Sequence, residues 1–348
     1  LAFVSQSGAL VTAMLDWAGS RGIGFSHFVS LGEHADVDFG DMLDFLGSDP
    51  KTRAILLYVE SIEQPRKFMS AARAAARNKP VIVVKSGRSA AGQQAAASHT
   101  GALAGSDAVF DAAFARAGML RVDTLQDLFL AAETLSRFRD GPSGQLIVLT
   151  NGGGAGVMAA DAASAEGVPL ATLTPDMLTR LNAVLPANWS HANPVDIIGD
   201  APADRYAQAL EALSQDTDSA ILFIHAPTAI VPSTDIAQTL LPRVSTKPHR
   251  VLGCWLGDQA VANARQLFRS AGVPDFDTPE QAVRALSFLR TYRLHQEELM
   301  QTPPARTAEQ PVDLPLMRQI VKEVLDSGRE LLTEPEAKAL LAAAGLPV

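Results

Sequence analysis

Cysteine is almost absent from this chain: Cys254 is the only one in 348 residues. A single thiol forms neither an intrachain disulfide nor a cysteine-rich metal site, which fits a reducing cytosol. Its place in the apolar run 251–256 reads as a buried, inert group. Long apolar runs are missing too. None approaches the ~18–20 residues that span a bilayer, and the N-terminus lacks a basic, apolar, small-residue signal pattern, so a soluble cytoplasmic protein without a membrane partner is expected. Positive charge is in deficit, with 29 Lys and Arg against 38 Asp and Glu and a formal charge of −9. A field of that sign repels nucleic acid and anionic lipid. An initiator Met is absent as well. The sequence opens on Leu-Ala-Phe-Val, which reads as a buried strand, so a piece of a longer protein is expected.

What the chain does have is apolar substance, 47% of its residues against 19% charged, enough for two or three domains with full cores at ~100–200 residues each. Short Val/Ile/Leu runs alternate with Ala-rich stretches of helical period, the pattern of parallel strands covered on both faces by crossover helices. The expected class is α/β, with tandem flavodoxin-like doubly wound parallel sheets. In the first half, strands are expected at 1–4, 26–30, 54–59, 81–85 and 119–122, with helices at 9–20, 39–47, 65–77, 106–117 and 125–138. Asp140-Gly141-Pro142-Ser143-Gly144 is a cluster of turn formers and the best domain boundary. In the second half, strands are expected at 146–150, 170–173, 220–224 and 251–256, with helices at 156–166, 175–184, 204–213, 234–244, 261–271 and 279–294. The expected domains are therefore 1–140 and 145–295, then a Pro-rich linker and helix over 296–330, then 331–348, where Thr333 and Glu336 have the spacing of a capping box.

Both halves open alike, with a strand, a small polar turn and a helix start. Ser5-Gln6-Ser7-Gly8 and Asn151-Gly152-Gly153-Gly154-Ala155-Gly156 fill the turn positions. Such turns leave backbone N–H groups and the positive helix end free for an anion, although a tight βα turn also needs glycine for conformation alone. Neither matches the GxxxxGK[ST] phosphate loop or a dinucleotide fingerprint. The third element, residues 96–107, reads as a long small-residue loop that presents His99 and ends at an N-cap, Ser106. His27, His191, His225, His249 and His295 stand singly, without metal-site spacing, and read as structural or surface residues; no metal site is expected.

These residues carry a family resemblance. Ser98-His99-Thr100-Gly101-Ala102-Leu103-Ala104-Gly105 resembles the phosphohistidine segment of NDP-forming acyl-CoA synthetases, relatives of the succinyl-CoA synthetase α subunit. Val4–Leu10 and Thr150–Val157 resemble the two phosphate-binding turns of that family, and Asn193-Pro194-Val195-Asp196 a further motif, all in the family's chain order. The resemblance implies a carboxylate joined to CoA as ATP yields ADP and phosphate, through an acyl phosphate. It implies His99 as phosphoryl carrier, Glu60 as the carboxylate that orients it, and Thr100 and Gly101 beside it. It implies phosphate, acyl phosphate or a short-chain carboxylate as ligands, no cofactor held tightly by this stretch, and ATP/ADP with Mg and CoA bound through further domains, with residues 333–348 resembling the opening of an ATP-grasp domain. Residues 31–41 and 71–79 look most like members fused to a GNAT-type protein-lysine acetyltransferase, in which this region would be a regulatory module, although Glu33 stands where simpler synthetases carry Asn. Apolar helices and sheet edges on adjoining domains add an expectation of self-association.

Overall fold

The computed structural model describes residues 1–20, 23–32, 36–100, 105–138, 140–214, 216–246, 249–301 and 312–348, with residues 20 and 96–100 by backbone alone. They divide into two compact units, Leu1–Met300 and Gln301–Val348.

The first half of the larger unit runs β1 (Ala2–Ser5), α1 (Gly8–Ser20), β2 (His27–Ser30), α2 (Phe39–Ser48), β3 (Ile55–Val59), α3 (Pro65–Asn78), β4 (Val81–Lys85), α4 (Ala90–Thr100), α5 (Asp107–Arg116), β5 (Leu120–Val122) and α6 (Leu125–Phe138). The second half runs β6 (Gln145–Thr150), α7 (Gly153–Ala165), α8 (Pro175–Val184), β7 (Val195–Asp196), α9 (Ala203–Leu213), β8 (Ser219–His225), α10 (Ser233–Val244), β9 (Val251–Trp255), α11 (Ala262–Ser270), β10 (Asp275–Phe276) and α12 (Pro279–Met300). Each half forms a parallel five-stranded sheet, ordered β2-β1-β3-β4-β5 and β7-β6-β8-β9-β10. Counted within its own half, each order is 2-1-3-4-5, the flavodoxin order, in which the topological switch falls between the first and third strands. The α/β class and the tandem flavodoxin-like sheets are as the sequence leads one to expect.

Central strands are mostly aliphatic because helices cover both faces: Ile55, Leu56, Leu57, Val81, Ile82 and Val83 are all fully buried. One apolar cluster runs through both halves. It takes Leu56, Ile82 and Leu120 from the first sheet, Leu146, Val148 and Leu222 from the second, and is completed by Leu128 and Leu135 of α6, Ala159 of α7 and Leu286 and Leu289 of α12. At ~1.5–3 kcal/mol for each large buried side chain, this shared core ties the sheets into one body. Polar contacts reinforce it. Arg284 of α12 reaches Asp127 in bidentate fashion (2.7 and 2.9 Å), Glu166 (2.9 Å) and Asp123 (3.1 Å), spanning both halves. Arg290 and Arg293 bind the Ser143 carbonyl and hydroxyl at 2.7 and 2.8 Å, so the turn that reads as a boundary is fastened down by α12.

Three local expectations need correction. Residues 170–173 do not form a strand: Leu170 makes a single bridge to Leu146, and the second strand of that half is the two-residue β7. The edge next to β6 is completed instead by the Asn193 carboxamide, which accepts from the Val148 N–H (2.9 Å) and donates to the carbonyls of Leu146 (2.8 Å) and Ala171 (2.9 Å). The stretch expected as a loop from residue 96 lies, as far as Thr100, in helix α4. Alanine is the best helix former, and that outweighs the visual signature of small residues. Third, α12 runs on to Met300 rather than ending near residue 294.

The smaller unit holds α13 (Leu314–Asp326) and α14 (Glu334–Ala343). Thr333 and Glu336 form the expected capping box, and Arg329 grips Glu336 at 2.7 and 3.0 Å. The expected linker residues 302–311 lie outside the described residues. Among the described residues, no helix is long and apolar enough to cross a membrane.

Candidate functional site

The first strand of each sheet ends in a hydroxyl residue that locks the turn after it. Ser5 Oγ donates to the Ser7 carbonyl (2.9 Å) and accepts from the Ser7 N–H (3.0 Å). Thr150 Oγ1 donates to the Gly152 carbonyl (3.2 Å) and accepts from the Gly152 N–H (3.0 Å). The next residue is an amide that clamps the turn to the third strand of the same sheet. Gln6 Oε1 accepts from the Glu60 N–H (2.5 Å) and the Ser61 N–H (3.0 Å), while its Nε2 donates to Ser61 Oγ at 3.2 Å. Asn151, nearly sealed from solvent, accepts from the Ala226 N–H at 2.8 Å and donates to the Ala226 carbonyl at 2.9 Å.

The side chains of Ser5, Gln6 and Asn151 are thus engaged in building the turns. What faces outward is backbone. Helices α1 and α7 begin at Gly8 and Gly153, and the N–H groups of a helix's first turn have no acceptor within the helix. Gly153 and Gly154 are exposed, and a Cβ on Gly154 would meet nothing within 4 Å, so the surface there is open. Gly156 is required by packing: its Cβ would lie 3.1 Å from Pro194 and 3.2 Å from the Thr150 methyl. Ala155 and Gly156 are buried and form the inner wall of that helix start.

Glu60 follows β3 at the carboxyl edge of the first sheet, half-buried, with its backbone held by Gln6. The Tyr58 phenol on the same strand is raised above its ordinary range, chiefly by burial and further by the Glu60 carboxylate. Gln6 therefore brings the Ser5–Gly8 turn and Glu60 together. No hydrogen bond among the described residues joins this turn to the one at Asn151–Gly156. His99 and Thr100 are placed only as backbone near the end of α4, and Gly101 lies outside the described residues.

Other histidines have structural partners. The ring of His225, which ends β8, is bonded to Tyr206 Oη (2.9 Å) and Ser233 Oγ (3.0 Å), and burial pushes its pKa down to about 4. His249 Nδ1 meets the Val244 carbonyl at 3.1 Å, and His295 Nδ1 the Met119 carbonyl at 2.8 Å. Cys254 is buried, and burial raises its thiol pKa. Sequence reasoning missed two features at the carboxyl edges. One is the clamping role of the amides, whose partners lie 54 and 75 residues away. The other is the buried Lys85, which hides in the strand pattern as its last residue.

Two tandem doubly wound sheets with matching strand-to-helix turns fit one class, the flavodoxin-type domains of CoA ligases. Residues 1–135 match the family described as succinyl-CoA ligase like flavodoxin domain, and residues 146–287 match the ligase-CoA domain. The chain is 38% identical over 350 residues to an ADP-forming acetate–CoA ligase I of Archaeoglobus fulgidus, covering 100% of this chain and 48% of that protein. It is 38% identical over 292 residues to the α subunit of ADP-forming acetate–CoA ligase I of Pyrococcus furiosus, covering 83% of this chain and 63% of the subunit. A solved structure of the dinucleotide forming acetyl-coenzyme A synthetase 1 of Ca. Korarchaeum cryptofilum, in complex with phosphate and ADP, superposes with a TM-score of 0.79 at 35% identity, covering 88% of this chain and 67% of that one. This chain belongs to the NDP-forming acyl-CoA synthetase family, with succinyl-CoA ligase-like domains. It spans about half to two thirds of the length of these relatives.

Proposed function

We propose that the chain is the core of an ADP-forming acyl-CoA synthetase, an acid–thiol ligase that joins a short carboxylate to CoA as ATP gives ADP and phosphate. The observation that carries this reading is the duplicated turn: Ser5–Gly8 and Thr150–Gly153 are built by the same bonds, and each leaves a helix start open. Read from acyl-CoA, phosphate attacks the thioester carbonyl and the thiol of CoA leaves, giving an acyl phosphate. A ring nitrogen of His99 then takes the phosphoryl group and the carboxylate departs. ADP receives the phosphoryl group from the histidine and becomes ATP, and the reverse sequence makes acyl-CoA.

Neutral imidazole is nucleophilic near pH 7, and its N–P bond is labile enough to pass the group on. Phosphate and the phosphoryl group carry up to two negative charges. The open N–H groups at Gly8 and Ala9 and at Gly153, Gly154 and Ala155 would hold them, each helix end contributing ~0.3–1 kcal/mol per charge, and up to ~2 when partly buried. Glu60 is the positioning carboxylate: accepting the second ring N–H of His99 fixes the tautomer that attacks. Among the described residues no group of three or more His, Cys, Asp or Glu gathers as a metal site. ATP, Mg and CoA would be bound by further parts of the full-length protein, with residues 333–348 opening an ATP-grasp domain. The relatives named above are ligases or synthetases by name, and ligase turnover is preferred here over a regulatory role in a protein-lysine acetyltransferase fusion.

Incubation with labelled acetyl phosphate tests this reading. The expected result is an acid-labile, base-stable phosphoryl group on the wild-type chain, absent from His99→Ala. Label that persists in His99→Ala, or none on either protein, contradicts it.

A further inference from the structure

Lys85 is a charged group that the reaction as written leaves unused. It ends β4, whose other residues, Val81 to Val84, are all aliphatic, and it is 3% exposed. Its ammonium donates to the Ser86 carbonyl and lies over the Phe110 ring, 4.7 Å from the centroid. No described carboxylate comes within ion-pair distance. Asp107, whose charge reaches it, is bound to Arg121 at 2.5 Å and also faces Arg88. Glu60 acts on it from the end of the neighbouring strand. Burial dominates and holds the ammonium below the ordinary lysine range.

A buried cation without an ion partner is costly, and an apolar side chain of similar volume is often the more stable choice. Both ends of the segment that carries His99 meet at this lysine. Ser86 opens the segment and gives its carbonyl to the ammonium, and Gly105 closes it against Phe110, the ring that caps the ammonium, where a Cβ would stand 3.3 Å from the ring edge.

We propose that Lys85 is the counter-charge for a phosphoryl group at the carboxyl edge of β3 and β4, arriving as free phosphate or carried on the α4 histidine. The inference rests on the ligase reading and adds a residue to that site. The protein retains a destabilising charge because an anion offsets it during the reaction.

Lys85→Met removes the charge and keeps most of the stem, while Lys85→Arg keeps the charge. In this chain, Lys85→Met is expected to melt higher than wild type yet gain less melting temperature from added inorganic phosphate. Its labelling by acetyl phosphate should fall by about tenfold, the scale of one lost charge-assisted contact, with part recovered in Lys85→Arg. Loss of the phosphate response with labelling kept assigns the lysine to free phosphate, and the converse assigns it to the histidine-borne group. A Lys85→Met protein that melts lower, with phosphate response and labelling as in wild type, overturns the inference and leaves the ligase reading standing. A wild-type chain that neither responds to phosphate nor labels overturns both.

Discussion

In the first sheet Ser5 closes on Ser7 and Gln6 reaches Glu60 and Ser61; in the second, Thr150 closes on Gly152 and Asn151 reaches Ala226. The hydroxyl bonds correspond one for one, whereas the amides differ in length, in the number of bonds they make and in what they grip. Gln6 is half-buried and holds the backbone of Glu60, the proposed positioning carboxylate, so under the proposed reaction turn and chemistry are coupled. Asn151 is sealed and grips backbone alone, so it fixes the shape of a glycine-rich helix start. The edge strands show a second correspondence, with the charge inverted. Arg121 of β5 faces Val83 in register and pairs with Asp107 of α5; Asp275 of β10 faces Gly253 and pairs with Arg269 of α11. One topology thus accepts either sign at that position provided the preceding helix supplies the other.

The edge-strand comparison breaks most strongly through pH. The Asp275 carboxyl is enclosed, and burial pushes its pKa up from 3.8 to about 6, with Arg269 and Arg265 opposing. The native state therefore holds a proton there that the unfolded chain gives up. The resulting stabilisation is complete below about pH 4 and is lost as pH rises through about 6, a change of roughly 3 kcal/mol at 1.36 kcal/mol per pH unit. Subtracting denaturant-unfolding curves of Asp275→Asn from wild type across pH 4–8 should isolate that slope. A flat difference rejects it.

Next in size is the Asn151 clamp. Asn151→Ala leaves the Ala226 N–H and carbonyl without their partner and should cost about 2–3 kcal/mol in unfolding free energy. Gln6→Ala exposes its partners to water more readily and should cost about 1 kcal/mol while weakening His99 labelling, since Glu60 loses its anchor. If Gln6→Ala proves the more costly in stability, or leaves labelling unchanged, the two clamps do not divide their roles in this way.

Glycines at strand-to-helix junctions made both turns legible in the sequence, and the alternation of aliphatic runs with helical period made the doubly wound order legible. The clamps were not, because an amide in a turn has many local explanations and its partner lies 54 or 75 residues away. Strands β7 and β10 have two residues each, too short for any period, and the carboxamide of Asn193 does work that a pattern assigns to a strand. Helix α4 was hidden by composition, since Ala, Gly, Ser and Thr read as a loop until the helix propensity of alanine is summed. Lys85 looked like an ordinary strand end, and only its burial without an ion partner sets it apart.

The central claim is that both helix starts receive the same kind of anion. Backbone amide NMR of this chain during titration with inorganic phosphate tests it most directly. The expected result is that the N–H signals of Gly8 and Ala9 and those of Gly153, Gly154 and Ala155 all shift with phosphate, while those of Glu60 and Ala226, held by the clamps, move far less. Shifts confined to one turn, or spread without preference for either, would contradict it.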